Sequence, residues 1–258
     1  MSEINDLAAK NYREITLLGQ NVNSYKFLTS LNKEISFPGL LEKIALNFPS
    51  LRIRFATSHP RDMSDELLRV ISDHQRICKH IHLPVQSGSS SVLERMNRKY
   101  NREDYLERIE TIKKIVPDAS ISTDIIAGFP GESEKDHRLT LSLMKKTGYD
   151  FAYMFKYSER PGTFAEKKYK DDIPEETKTI RLNEIISLQN KLSLVSKKND
   201  IGKEFEVLAE GTSKKSEKQL FGRTSQNKVV VFPKRNHLPG DYVKVKIKDC
   251  TSATLIGH

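Results

Sequence analysis

The stretch DIIAGFPGE, Asp124–Glu132, joins an apolar strand end to two glycines, a proline and an acid. Its apolar run reads as a strand. Gly128 and Gly131 let the backbone turn sharply and approach a ligand closely. Directly after it comes SEKDHRLTLSLMKK, in which Ser133 and Asp136 stand at capping-box spacing for a helix. Strand, tight turn and helix in succession are the unit of a parallel α/β sheet. In such sheets ligands sit at the carboxyl ends of the strands.

Four more segments upstream and downstream read as strands: Glu14–Gln20, Leu51–Ser58, His80–Gln86 and Asp150–Ser158, joining Ser120–Gly128. Helical segments intervene. SDELLRVISDH begins on the N-cap Ser64, and NREDYLERIETIKKI has Asn101 as cap with Asp104 at the capping-box offset. The alternation predicts an α/β fold with a parallel sheet, either open or a partial barrel. Every strand ends in polar or Gly/Pro residues: GQNVNSY (Gly19–Tyr25), TSHP (Thr57–Pro60), VQSGS (Val85–Ser89), GFPGE and YSERPGT (Tyr157–Thr163). Taken singly, each is equally well a plain turn. Five such edges in one domain point to a binding pocket.

The break YKDDIPEETK ends this region, and a long helix is expected over about Glu175–Lys198. Its apolar positions Ile185, Leu188, Leu192 and Val195 are spaced to pack one face on the main domain, and Gly202 closes it. Five short strand-like runs follow, which predicts a small β-barrel or sandwich. The organisation expected is a core over 1–173, a linking helix over 174–200 and a small all-β domain over 201–258. That last domain holds eleven Lys/Arg against six Asp/Glu, with Phe205, Phe221, Phe232 and Tyr242 interleaved among them. Basic neighbours around aromatics suit an RNA platform, although the same aromatics could simply fill the barrel.

At 258 residues, 37% hydrophobic and 30% charged, the chain has the composition of a soluble protein with a sizeable core. No run reaches membrane-spanning length and MSEINDLAAK has no signal-peptide core, so a cytoplasmic location is expected. A net charge of +9 fits a polyanionic partner or a lysine-rich solvated surface. The two cysteines, Cys78 and Cys250, form no CxxC pair. Cys78, His80 and His82 would share one face of a strand, as metal ligands do, but an ordinary strand with one polar side accounts for them better.

Roles follow from side-chain chemistry. Gln20, Asn21 and Asn23 offer amides for an amino-acid-like group, or brace a turn. Phe155 and Tyr157 fall on one strand face and suit stacking on a purine, or core packing for Phe155. Arg160 suits a phosphate or carboxylate, or a surface ion pair.

In that order, LLGQNVNSY, RFATSHP, HLPVQSGS, STDIIAGFPGE and FKYSERPGT resemble the motifs of the radical S-adenosylmethionine tRNA methylthiotransferases. Residues 201–258 resemble the TRAM domain, the RNA-binding, OB-like barrel that ends those enzymes. The resemblance implies a partial (βα) radical SAM barrel lacking its first strand, followed by the small TRAM barrel. It implies addition of a methylthio group to C2 of isopentenyladenosine beside the tRNA anticodon. RPGT is shared with the relatives that act on threonylcarbamoyladenosine, which is the alternative, alongside a non-catalytic RNA-binding fragment. The cofactors implied are S-adenosyl-L-methionine and, in the intact enzymes, two 4Fe–4S clusters held by a CxxxCxxC loop and a cysteine-bearing N-terminal domain. Neither ligand set occurs in this chain, so no catalytic or metal-binding residue is assigned in it, and alone it is expected to be inactive. By resemblance, Gly19, Gln20, Asn21, Gln86, Ser87, Ile126, Gly128, Phe155 and Tyr157 would contact the cofactor. Substrate contacts are expected from Asn23, His59 and Arg160, and from Lys228, Lys234 and Arg235 in the small domain. The expected partners are a tRNA anticodon stem-loop and the N-terminal cluster domain, with a monomeric, non-membrane intact enzyme.

Overall fold

A computed structural model describes every residue except Leu31, Thr57 and Ser58. A short helix α1 (Ser2–Ala9) leads into strand β1 (Glu14–Leu17), followed by a small antiparallel hairpin, β2 (Lys26–Leu28) and β3 (Glu34–Ser36). Helix α2 (Phe37–Asn47) starts on Ser36, whose hydroxyl accepts from the Gly39 N–H, with Pro38 in the first turn. Strand β4 (Arg52–Phe55), helix α3 (Asp65–Asp73), strand β5 (His80–His82), and helices α4 (Ser90–Arg95) and α5 (Arg102–Ile115) follow. Then come β6 (Ser120–Ala127), α6 (Glu134–Thr147), β7 (Phe151–Lys156) and the short α7 (Phe164–Lys168).

The five long-range strands are all parallel. β1 pairs with β4, β5 with β6 and β6 with β7, and a bridge from Ile53 to Ile77 joins the two groups into one arc. Along β6 the side chains alternate. Ile121, Ile125 and Ala127 enter the core with Leu41, Leu68, Ile109 and Leu143 from the outer helices. Ser122, Asp124 and Ile126 line cavities on the inner wall. This is the parallel α/β arrangement expected from the alternation, in the half-barrel form that the family resemblance implied.

Both predicted capping boxes form, Asn101 with Asp104 on α5 and Ser133 with Asp136 on α6. Asp136 also accepts from the hydroxyls of Ser89 (2.5 Å) and Ser91 (3.0 Å), which ties α4 to α6. Partial burial pushes its carboxyl up, but the hydroxyls and the Ser133 N–H outweigh that and hold it down to about 2. Gly88 lies against α6 so closely that a Cβ there would stand 2.5 Å from the Thr140 Cα.

The long helix α8 (Glu175–Lys198) has the expected bounds but not the expected face. Its buried row is Lys178, Arg181, Ile185, Gln189, Ser193 and Lys197, a mainly polar stripe at helical spacing. Leu188 and Leu192 are only partly buried and Val195 is 57% exposed. The polar stripe serves backbone groups that the sheet edge leaves open: Gln189 Nε2 donates to the Tyr149 carbonyl (2.9 Å), and the Ser193 hydroxyl to that of Asp150 (2.8 Å).

The remaining strands, β8 (Glu204–Ser213), β9 (Ser216–Thr224), β10 (Val229–Pro233), β11 (Tyr242–Cys250) and β12 (Leu255–Gly257), close into a barrel in the order β10-β12-β11-β8-β9. Val207, Leu220, Val230, Phe232, Val245 and Leu255 fill it. Of the aromatics read as an RNA platform, Phe232 is thus core and Phe205 packs against it. Tyr242 belongs to the joint with the half-barrel: its hydroxyl donates to the Arg13 carbonyl (2.8 Å), and Arg52 and Arg76 lie over its ring at 5.0 and 4.7 Å.

That joint is polar and extensive. Arg52 donates to the Arg223 carbonyl (2.8 Å), Arg54 to that of Thr224 (2.9 Å), and the Lys79 N–H to the Ser225 hydroxyl (2.9 Å). Lys228 Nζ sits between Asp200 (2.6 Å) and Asp150 (3.1 Å) and donates to Ser196 (3.1 Å). Burial alone would lower the Lys228 ammonium, yet the two carboxylates outweigh it and raise it. The expectation that Lys228 contacts a substrate therefore meets a side chain already engaged inside the protein.

Candidate functional site

At the carboxyl ends of β5, β6 and β7 the inner wall opens into a cleft of about 760 Å³. Gln86, Asp124, Ile126, Phe129, Phe155 and Tyr157 form its floor and one wall. Gln86 adopts a left-handed φ of 71°, uncommon for a residue with a Cβ. Two backbone bonds hold it there, Gln86 N to Asp124 O (2.8 Å) and Ile126 N to Gln86 O (2.9 Å). Asp124 is the one carboxylate lining the cleft among the described residues, which Arg95, Arg98, Lys156 and Arg160 also line. Phe155 is 53% exposed, and the Tyr157 hydroxyl is buried with no hydrogen-bond partner among the described residues. An open aromatic face and a single carboxylate suit a ligand with a flat heterocycle and N–H or O–H donors.

The GFPGE turn is fixed from behind. Glu132, 2% exposed, accepts from the Gly128 N–H (2.9 Å) and from Arg181 on α8 (2.9 Å), and Arg181 also donates to the Glu132 carbonyl (2.9 Å). Burial raises the Glu132 carboxyl, with the Gly128 N–H and Arg181 pulling the other way. Gly128 has φ +76°, and a Cβ on it would come within 2.3 Å of Lys178 Cγ, so this turn demands glycine. Lys178 is buried beneath it, paired with Asp171 at 2.5 Å and 5.6 Å from the centre of the Tyr157 ring.

Of the residues expected at the cofactor, Gln86, Ile126, Phe155 and Tyr157 come together in this cleft, with Arg160 at its edge. Gly128 lies behind it and spends its N–H on Glu132. Ser87 is fully buried and bonded to Thr140 (3.3 Å), away from the cleft lining. Gly19, Gln20 and Asn21 are exposed after β1 and do not line the cleft. Asn23 braces a turn: its amide donates to the His59 carbonyl (3.1 Å) and accepts from the His59 N–H (3.1 Å). The His59 ring accepts from the Arg61 N–H (3.3 Å) and meets Tyr100 edge-on. Thr57 and Ser58 of the TSHP strand end lie outside the described residues. Asp124 and Arg181 carry no signal of their own in the sequence, and Glu132 stands out only as the acid that closes the GFPGE turn. Only the offset of Asp124 from Ile126 on the same strand face could have signalled it.

His80 and His82 do not converge on an empty metal position. His80 Nε2 and His82 Nδ1 both meet the Ser122 hydroxyl at 2.9 Å. Among the described residues no group of three His, Cys, Asp or Glu is arranged to hold a metal ion. On the barrel, Lys234 is half-buried and Arg235 exposed. The Lys234 N–H donates to the Lys218 carbonyl (2.9 Å), so Lys218, Lys234 and Arg235 share one rim. No helix among the described residues is long and apolar enough to cross a membrane.

Comparison with known proteins gives two family matches. Residues 1–144 match the Radical SAM superfamily, and residues 198–258 match the TRAM domain. A tRNA-2-methylthio-N(6)-dimethylallyladenosine synthase of Phocaeicola vulgatus is 59% identical over 258 residues, which is all of this chain and 56% of that protein. The protein of the same name from Porphyromonas gingivalis W83 is 54% identical, again over all of this chain and 56% of its own length. The chain thus spans little more than half the length of these curated relatives. Among solved structures, coproporphyrinogen III oxidase (HemN) of Escherichia coli, a radical SAM enzyme, aligns with a TM-score of 0.51 at 16% identity. The alignment covers 76% of this chain and 52% of that one, a likeness of fold alone.

Proposed function

The chain belongs to the Radical SAM superfamily, and from that premise we propose that it is the S-adenosylmethionine-binding and RNA-binding portion of a tRNA methylthiotransferase. The substrate is isopentenyladenosine (dimethylallyladenosine) beside the anticodon, modified at C2. The observation that carries this reading is the cleft at the ends of β5–β7, where Gln86, Asp124, Ile126, Phe155 and Tyr157 meet. The names of the relatives 59% and 54% identical, both tRNA-2-methylthio-N(6)-dimethylallyladenosine synthases, support it.

The cleft fits S-adenosylmethionine. Ile126 and Phe155 offer apolar surface to the adenine, and Asp124 offers a polar partner. Bound there, S-adenosylmethionine would supply the adenosyl and methyl groups of the superfamily's chemistry, with the electron that cleaves it coming from a reductant outside this chain. The protein binds, orients and excludes water. Glu132 and Arg181 keep the floor of the cleft rigid for that task. An iron–sulfur cluster does not fit this chain. It has two cysteines. Cys78 is buried on the inner wall, where burial pushes its thiol up to about 11, and Cys250 is on the barrel. No step through a cluster is therefore derived.

RNA binding rests on the barrel rim of Lys218, Lys234 and Arg235 beside the Lys214–Lys215 turn, with an anticodon stem-loop as the partner. The intact enzyme acts as a cytoplasmic monomer. The triple variant Lys218→Ala, Lys234→Ala, Arg235→Ala is expected to weaken tRNA binding about tenfold or more, and to lower the slope of log affinity against log salt by roughly 2. Fluorescence anisotropy with tRNA across a salt series measures both. An unchanged slope overturns the assignment of this rim.

A further inference from the structure

The cleft accounts for Asp124 but not for the polar row beneath it on the inner wall. His80 and His82 project from β5, and Ser122 and Asp124 from β6, in the parallel register that sets His80 beside Ser120 and His82 beside Ser122. Ser122 Oγ stands 2.9 Å from both His80 Nε2 and His82 Nδ1. The other nitrogen of His82, Nε2, is 3.4 Å from Asp124 Oδ1. The lower members line a second cavity of about 550 Å³ at the foot of the half-barrel, and Asp124 lines the upper cleft. The row thus runs from one cavity to the other.

Its protons can be placed by counting. Imidazoles are ordinarily neutral above pH 7, with one N–H and one bare nitrogen. A carboxylate can only accept, so His82 presents Nε2–H to Asp124 and leaves Nδ1 bare. Ser122 then donates its single hydroxyl proton to His82 Nδ1, and its oxygen must accept from His80 Nε2–H. All donors point the same way, toward Asp124. We propose that His80, Ser122 and His82 are positioning residues: an array of one polarity, hydrogen-bonded through Ser122, that turns the Nε2–H edge of His82 toward the Asp124 carboxylate, 3.4 Å away, and so aims that carboxylate into the cleft by charge and dipole. The surroundings favour this order at its lower end. Burial, Arg54 and His82 together lower the His80 imidazole to about 4, with Asp150 opposing, so it stays neutral. Tyr153 packs edge-on against His82 at 5.8 Å and fixes the ring from the β7 side.

The opposite order requires a charged His82 donating from Nδ1 to Ser122, and His80 accepting at Nε2 while carrying its proton on Nδ1. Nitrogen-15 NMR of the histidine rings in the full chain separates the two at pH 7.5, without any ligand. The array predicts neutral Nε2–H tautomers for both residues. A charged His82, or Nδ1–H on His80, overturns it.

The link to ligand rests on the S-adenosylmethionine reading of the cleft, and titration with S-adenosylhomocysteine tests it separately. His82→Leu is expected to weaken binding about three- to tenfold, the scale of one lost polar contact. His82→Gln, whose amide still donates to Asp124, restores most of the loss. In an Asp124→Ala background, which leaves His82 no acceptor, His82→Leu adds nothing further. Ser122→Ala, which removes a single oxygen, gives a smaller loss with the same dependence on Asp124. Equal losses in both backgrounds, or no rescue by glutamine, overturn the positioning role. Absence of binding by the unmodified chain instead overturns the reading of the cleft, and the role with it.

Discussion

Lys228→Met is expected to lower the unfolding free energy by about 3–5 kcal/mol, the cost of removing one partner from a buried ion pair. The Lys228 side chain is 11% exposed and holds Asp200, 7% exposed, and Asp150, 17% exposed. Methionine fills much the same volume, so the loss would come from two buried carboxylates left without their shared cation rather than from a cavity. Those carboxylates belong to different elements: Asp150 opens β7 and Asp200 follows α8, whereas Lys228 leads into β10 of the barrel. The effect should therefore appear first at the joint. Urea unfolding followed by tyrosine fluorescence gives the total, and hydrogen exchange at the Lys79 and Ile121 amides, which bond to Ser225 and Asp150, locates it. A loss below about 1 kcal/mol would mean that the carboxylates are hydrated and that the barrel is held by other contacts.

Arg181→Met should be as costly, about 3–5 kcal/mol near neutral pH, and should also loosen the cleft. Glu132 would keep only the Gly128 N–H as partner in a site where burial already raises its carboxyl. The sign of the pH dependence follows. A group whose pKa is raised by folding binds more protons in the native than in the unfolded state. Its favourable contribution is present at low pH and lost as pH rises through the folded value. Without Arg181 the folded value rises further, so the deficit relative to the unmodified protein should be larger at about pH 8 than at about pH 5. Thermal unfolding at the two pH values measures it. A deficit independent of pH would assign the loss to packing of α8.

Much of this fold could be read along the chain, for a definite reason. Strands ending in Gly/Pro turns and helices opening on Ser or Asn with an acid three residues on are local signals, so both capping boxes and the five barrel strands were legible. The β2–β3 hairpin was not, because β2 is exposed at all three positions and shows no alternation. The face of α8 was misjudged because its buried stripe is Lys178, Arg181, Gln189 and Ser193. Their burial depends on backbone groups and carboxylates tens of residues away. The same distance hid the roles of Asn23 and Lys228. An amide or ammonium near a strand end reads as a ligand contact until the His59 backbone or the Asp150–Asp200 pair is found against it. The expected residues that the fold gathers in one cleft are those on strand ends facing inward, Gln86, Ile126, Phe155 and Tyr157. Those that hold the site from behind carried no local pattern.

The most direct test of the account is whether the cleft takes an adenosyl ligand. S-adenosylhomocysteine titrated into the full chain, with methyl-labelled isoleucine followed by NMR, should bind saturably at one site per chain. It should shift Ile126 while leaving Ile71 and Ile109, buried among the outer helices, in place. No saturable binding, or shifts confined to residues around the foot cavity, would contradict the assignment of the cleft.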